Sequence, residues 1–201
     1  MDESFQTLCE RSPILRPMLW VWLLTVSTTL AMLPVVRVAY ASQPESLLQS
    51  MSTGLWIIAG LSPLVAAVKA LLLGGVGWAM LVLAGALPRF RTLVSTALYG
   101  EALLAVQGLW VALVLHLRGG DRLTRPADLM VFTGLDVFVQ DATSPLAALA
   151  RGVSPFHAAW VVLLAVLFTY AARTTWRRGT SAALACWVVA IGLSALRSMA
   201  G

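Results

Sequence analysis

Residues 54–86, GLWIIAGLSPLVAAVKALLLGGVGWAMLVLAGA, carry one charge, Lys69, in a run too long for one upright membrane crossing and too short for two with a turn. A hydrocarbon layer of about 30 Å takes roughly 20 helical residues at 1.5 Å each. The stretch therefore reads as one long helix spanning at about 58–86, with Pro63 as a physical cause for a bend. The part nearer Gly54 can then lie along the interface before the chain descends.

Outward from this run, PMLWVWLLTVSTTLAMLPVV (residues 17–36) is uncharged between Arg16 and Arg37 and is entered by Pro17, a residue tolerated at a helix start. Further spans fall at about 92–117, interrupted by Glu101, at 155–171 and at 180–195. The expected fold is all-α: a polytopic bundle of five transmembrane helices, one membrane domain over residues 1–201, with a long outer loop at 118–154. Composition agrees, since 59% of residues are hydrophobic, 11% are charged and the mean hydropathy is +0.84. A soluble domain needs about a quarter charged residues to face water, so soluble enzymes, disordered tails and disulfide-stapled secreted domains are excluded. The net charge of +5 does not point to nucleic acid, because the basic residues cluster beside apolar runs instead of forming one stripe.

Positive charge resists translocation, so short basic connections mark the cytoplasmic side. PRFR, with Arg89 and Arg91, and the RTTWRR turn, with Arg173, Arg177 and Arg178, are short and free of acids. They lie on the same side as Arg11 and Arg16, which puts the N-terminus in the cytoplasm and the C-terminus outside. The other side holds Arg37, Arg118, Arg122, Arg125, Arg151 and Arg197, most of them in a loop that also carries Asp121, Asp128, Asp136 and Asp141. A rival reading makes the N-terminal segment a signal peptide, with Ala39-Tyr40-Ala41 as an A-x-A cleavage site. The length of the apolar stretch and Arg37 within the would-be cleavage region favour a retained anchor.

Charge at bilayer depth is costly, about 2.5–3.5 kcal/mol even on insertion scales, so Lys69 and Glu101 need a reason. They sit on spans joined by the short LPRFR turn and are expected to approach each other. Counting inward from that turn leaves an offset of about 10 Å at 1.5 Å per residue, part of which the Lys stem and helix tilt can close. Three readings stand: a structural ion pair, two side chains reaching separately for opposite interfaces, or a relay for a proton or substrate. Small residues at every fourth position form two further features, since they let helix backbones approach closely in lipid. Ser62, Ala66, Ala70 and Gly74 line one face of the second span, and Ala182, Cys186, Ala190 and Ser194 one face of the fifth. Each face is either a site for a partner helix or packing within the bundle.

Cys9 and Cys186 lie far apart, so no disulfide is expected, and no C-x-x-C or H-E-x-x-H spacing accompanies His116 and His157, so no metal or cofactor is expected either. Trp20, Trp22, Trp56, Trp110, Trp160, Trp176 and Trp187 read as interface anchors near span ends. PADLMVFTGLDVFVQD, residues 126–141, mixes Leu129, Phe132, Leu135 and Val139 with Asp128 and Asp136 and reads as an amphipathic helix at the outer surface, or as a lid or docking segment.

The order of features resembles the Yip-type family of small multi-span proteins, whose eukaryotic members interact with Ypt/Rab proteins. The likeness covers most of the chain: SPILRPMLWVWLL entering the first span, PESLLQSM after it, PRFRTLVSTALYGEALLAV with Tyr99, and SPFHAAWVVLLAVLFTYAARTTWRRGTSAALACWVV. Phe156, Trp160, the Arg173 to Arg178 turn and Trp187 stand where the family has an aromatic pair, a basic turn and a span with an internal Trp. The resemblance implies a five-helix membrane domain of the bacterial cytoplasmic membrane with no common catalytic activity, in some members accompanying transport systems. With no Ser/His/Asp spacing and no phosphate loop, the chain is expected to be no enzyme. The expected role is an accessory or scaffold subunit of a membrane complex, partnered by the lipid bilayer and by another membrane protein or a homo-oligomer. The alternative is a small transporter or channel using Lys69 and Glu101, for which two groups at depth are a thin supply.

Overall fold

In the computed structural model, which describes residues 14–119, 126–139 and 145–200, Pro44 opens and Gly85 closes the longest helix. The elements in chain order are α1 (Leu15–Ala39), α2 (Glu45–Leu83), α3 (Phe90–Arg118), α4 (Pro145–Arg151), α5 (Pro155–Ala171) and α6 (Trp176–Ala200). Two single-turn 3-10 helices, Pro126–Leu129 and Leu135–Phe138, lie between α3 and α4. The described chain contains no strand. Four helices, α1, α2, α3 and α6, are long and apolar enough to cross a membrane; α5, with 17 residues, is shorter.

Helix α2 has 39 residues, about 58 Å at 1.5 Å per residue, and runs unbroken through Pro63. It starts well before residue 58 because Pro44 presets the backbone and Glu45 puts an acid at the positive end of the helix dipole. At its other end Gly85 takes φ +80°, so its N–H reaches Val82 O at 2.9 Å and the N–H of Ala86 reaches Leu81 O at 2.9 Å. Leu81 and Ala86 meet in the core beneath this turn, which seals the carbonyls that the helix end leaves over. Gly85→Ala forces a side chain into a left-handed backbone, and a loss of about 1 kcal/mol is expected in thermal unfolding of the detergent-purified protein. An unchanged melting temperature would show that the turn does not hold this conformation. The same 6→1 and 5→2 pattern closes α5 at Arg173, a non-glycine residue at φ +48°.

The α2–α3 hairpin is the centre of the assembly: α1 packs against both of its helices, α5 packs on α3, and α6 packs on α2 and α5. Leu73, Leu93, Leu98, Leu164 and Phe168 fill the main core with Trp160, which is fully buried. Glycines mark where backbones come close. A Cβ on Gly74 would stand 3.0 Å from the Val94 Cα, and one on Gly77 would stand 2.8 Å from the Phe168 ring. Dispersion contacts of this kind hold helices together where the surroundings are as apolar as the side chains.

Residues 126–139 do not form the amphipathic helix expected from their pattern. Two 3-10 turns flank a non-helical stretch, Met130 to Thr133, whose polar groups are held from outside the segment. Arg118 Nη1 donates to Asp128 O at 3.2 Å and to Met130 O at 2.9 Å, while Gln107 Nε2 donates to Thr133 Oγ1 at 2.8 Å. Asp136, placed by pattern on the polar face, is 2% exposed and turned inward. Bonds to α3 thus outweigh the local helical pattern. Cys9, Arg11 and residues 120–125 and 140–144, which include Asp121, Arg122, Arg125 and Asp141, lie outside the described residues.

Candidate functional site: a polar cavity at Lys69 and Glu101

Lys69 lies fourteen residues before the end of α2 and Glu101 eleven after the start of α3. At 1.5 Å per residue the axial offset is about 4.5 Å, within reach of a lysine stem. It is smaller than the roughly 10 Å expected from the sequence because residues 84–89 belong to neither helix. Lys69 Nζ donates to Glu101 Oε2 at 2.6 Å. Glu101 is 7% exposed and Lys69 is 48% exposed, so the pair has a buried side and an open side.

The open side faces a cavity of about 460 Å³. Four helices contribute a face to it: Val65, Lys69, Leu72 and Leu73 from α2, Glu101 and Leu104 from α3, His157 and Trp160 from α5, and Ala190, Ile191, Leu193 and Ser194 from α6. Arg151 and Gly152, at the junction of α4 and α5, complete the wall. Most of the lining is apolar, and the polar atoms are few and converge, as in small-molecule sites generally.

Three local arrangements position those polar groups. Ser154 caps α5, accepting from the His157 backbone N–H at 3.2 Å, with Pro155 at the first helical position. The capping hydroxyl also lies 2.9 Å from His157 Nδ1 and so fixes the ring. Arg151 Nε donates to Asp136 Oδ2 at 3.2 Å, and the other oxygen of that buried carboxylate accepts from the Gly134 N–H at 2.9 Å. Trp187 Nε1 donates to Gly152 O at 3.0 Å, tying the junction to α6.

Two buried polar atoms at this site have no hydrogen-bond partner: Glu101 Oε1 and Trp160 Nε1. A carboxylate oxygen can only accept and an indole N–H can only donate, and leaving either buried and unpaired is costly. Gly100 makes room for the indole, since a Cβ there would fall 2.6 Å from Trp160 Nε1. Both unpaired atoms are shut off from solvent, so the group of the Lys69–Glu101 pair that the cavity presents is the half-exposed ammonium of Lys69. An ammonium in a largely apolar wall can hold a small molecule through an anionic or carbonyl oxygen.

The small-residue faces divide. Ala66, Ala70 and Gly74 are buried within the bundle, as are Ala182 and Cys186, whose thiol donates to Leu73 O at 3.2 Å. These positions are spent on packing inside this chain. Ser62 is half-buried with its hydroxyl bonded to Ala59 O, Ala190 is half-buried in the cavity wall, and Ser194 is exposed. Of the tryptophans read as interface anchors, Trp20, Trp22, Trp56, Trp110 and Trp176 are exposed. Trp160 is fully buried, a correction that follows from its position on the face of α5 turned to α3.

Arg151, His157 and the indole of Trp160 are site residues that pattern reading missed. Ser154-Pro155 is a helix-start signal that could have placed His157 and Trp160 one turn apart on one face. Nothing local marks the pairing of Arg151 with Asp136. Among the described residues no group of three or more His, Cys, Asp or Glu is gathered as metal ligands. No family model matches the sequence, and no curated protein or solved structure matches it either.

Proposed function

We propose that the chain is a non-catalytic, multi-pass protein of the bacterial cytoplasmic membrane that holds a small polar ligand in this cavity and serves as an accessory subunit of a membrane complex, transport systems included. The observation that carries the reading is the Lys69–Glu101 pair, whose half-exposed ammonium stands in the wall of a cavity of about 460 Å³.

The fold in this reading is a five-helix bundle of Yip type with its N-terminus in the cytoplasm. Support for α5 as the fifth span comes from its packing: Trp160, Leu164 and Phe168 are buried against its neighbours, so a helix of about 25 Å sits inside the bundle. A 17-residue helix is at the short end of the range that spans. The subunit reading is favoured over a self-sufficient transporter because five spans contain no two equivalent halves to rock against each other.

The test has two parts. Reporter fusions after Gly179 and Gly201 should report opposite sides of the membrane; the same side for both would contradict five spans. Purification in mild detergent should bring down a stoichiometric membrane partner. Its absence, together with ligand flux by the purified chain in proteoliposomes, would replace the subunit reading with transport through Lys69 and Glu101.

A further inference from the structure

The two ends of the bundle use their arginines differently. Where α3 stops and α5 starts, Arg118 donates to the carbonyls of Asp128 and Met130, and Arg151 is paired with the buried Asp136. At the other end stand Arg16 in the first turn of α1, Arg89 and Arg91 at the start of α3, Arg173 just past α5, and Arg177 and Arg178 in the first turn of α6. All six are exposed. They share one end because the residues beside them share one core: Ile14, Met18, Ala86, Leu93, Ala172 and Ala182 pack in a single cluster. Among the described residues, Arg16, Arg89, Arg91, Arg177 and Arg178 have no side-chain hydrogen bond or ion pair. No described acid stands near enough to balance them. Glu45, Asp128 and Asp136 lie at the opposite end, and Glu101 is eleven residues into α3, about 16 Å along the helix.

Like charges gathered on one end repel one another and draw anions to it. Helix polarity adds to the same sign, since α1, α3 and α6 all begin here and none has an acid in its first turn. Which anion fits is decided by the side chains between the arginines. Leu15, Leu83, Leu87, Phe90 and Trp176 are large, apolar and exposed at the same level. Phe90 separates Arg89 from Arg91, and Trp176 immediately precedes Arg177 and Arg178. A soluble acidic partner would match the charges alone. A phospholipid matches both, with phosphate against guanidinium and the glycerol and acyl carbons against rings and leucines. An anionic head group is favoured over a zwitterionic one, whose own cation would face the arginines. We propose that this end binds anionic phospholipids of the adjacent leaflet, their phosphates held by Arg89 and Arg91 on α3 and by Arg177 and Arg178 on α6. This surface is separate from the cavity at Lys69 and acts whether or not that cavity holds a ligand.

The experiment titrates the purified full chain, washed of lipid in neutral detergent, with dioctanoyl phosphatidylglycerol and follows binding by calorimetry. Parallel titrations use the phosphatidylcholine counterpart, free glycerol phosphate and a soluble polyglutamate peptide. At about 0.1 M salt phosphatidylglycerol should bind at least about tenfold more tightly than each of the three, and its lead over phosphatidylcholine should shrink at about 1 M, where the screening length falls from about 10 Å to about 3 Å. Arg89→Gln with Arg91→Gln, and separately Arg177→Gln with Arg178→Gln, should weaken phosphatidylglycerol binding about fivefold for each arginine removed, the equivalent of about 1 kcal/mol per basic residue. Arg177→Lys with Arg178→Lys keeps the charge and should lose less. Arg37→Gln removes an exposed arginine near the opposite end and should change nothing.

Equal binding of the two lipids at low salt, or a preference unchanged at high salt, would overturn the inference. Glycerol phosphate or polyglutamate binding as tightly as phosphatidylglycerol would overturn the lipid and leave a basic surface for a soluble anion. Binding unaffected by both glutamine pairs, or weakened as much by Arg37→Gln, would remove it from this end of the bundle. The lipid and salt comparisons need only the natural protein, so they decide the matter even where a glutamine variant does not fold.

Discussion

Lys69→Met lowers the melting temperature of the purified protein more than Glu101→Gln does, and the double variant is more stable than Lys69→Met alone. The asymmetry follows from burial. Removing Lys69 leaves a carboxyl group that is 7% exposed with neither of its oxygens paired, whereas removing the charge of Glu101 leaves an ammonium that is 48% exposed and can turn outward on its stem. Breaking a fully buried pair on one side costs about 3–5 kcal/mol. The open side of this pair discounts that figure, so about 2–3 kcal/mol is expected for Lys69→Met and about 1 kcal/mol for Glu101→Gln, whose amide oxygen still accepts. Removing both charges takes away the desolvation burden together with the attraction. Strictly additive losses in the double variant would show that the two side chains do not meet.

The second large effect separates two alanines that look alike in sequence. Ala70→Leu inserts three carbons at a fully buried position on α2, inside the main core and one turn from the close approach of Gly74 to Val94. Overpacking of this kind costs about 1–3 kcal/mol. Ala190 lies half-buried in the wall of the cavity, so the side chain of Ala190→Leu has room to extend into it. Its melting temperature should stay near that of the natural protein, while any ligand held in the cavity is displaced. Equal destabilisation of the two variants, measured by thermal unfolding in detergent, would mean that the space beside Ala190 is already filled.

The helices were legible from composition because a run of apolar residues of spanning length has few other stable forms. The approach of Lys69 to Glu101 was legible for the same reason: a short turn between two helices fixes their register to within a few residues. What could not be read was the assembly of one wall from distant parts. Arg151 counts as one more loop charge until Asp136 is found folded inward beneath it, and Asp136 itself follows a helical pattern that bonds from Arg118 and Gln107 override. Trp160 has the composition of an interface anchor, and only the packing of α5 on α3 shows that it is core. The two small-residue faces were visible as stripes. Which of their members pack and which line a cavity depended on how far α2 and α6 separate beyond Leu73 and Cys186, a tertiary quantity with no local signal.

The proposed function stands or falls with the cavity between α2 and α6 holding a ligand beside Lys69. Native mass spectrometry of the protein purified in mild detergent tests it most directly, with Ala190→Phe alongside to fill the space. The account predicts a stoichiometric small-molecule adduct on the natural protein that is lost in the folded variant. An adduct of the same mass and occupancy on both, or none on either, would contradict it.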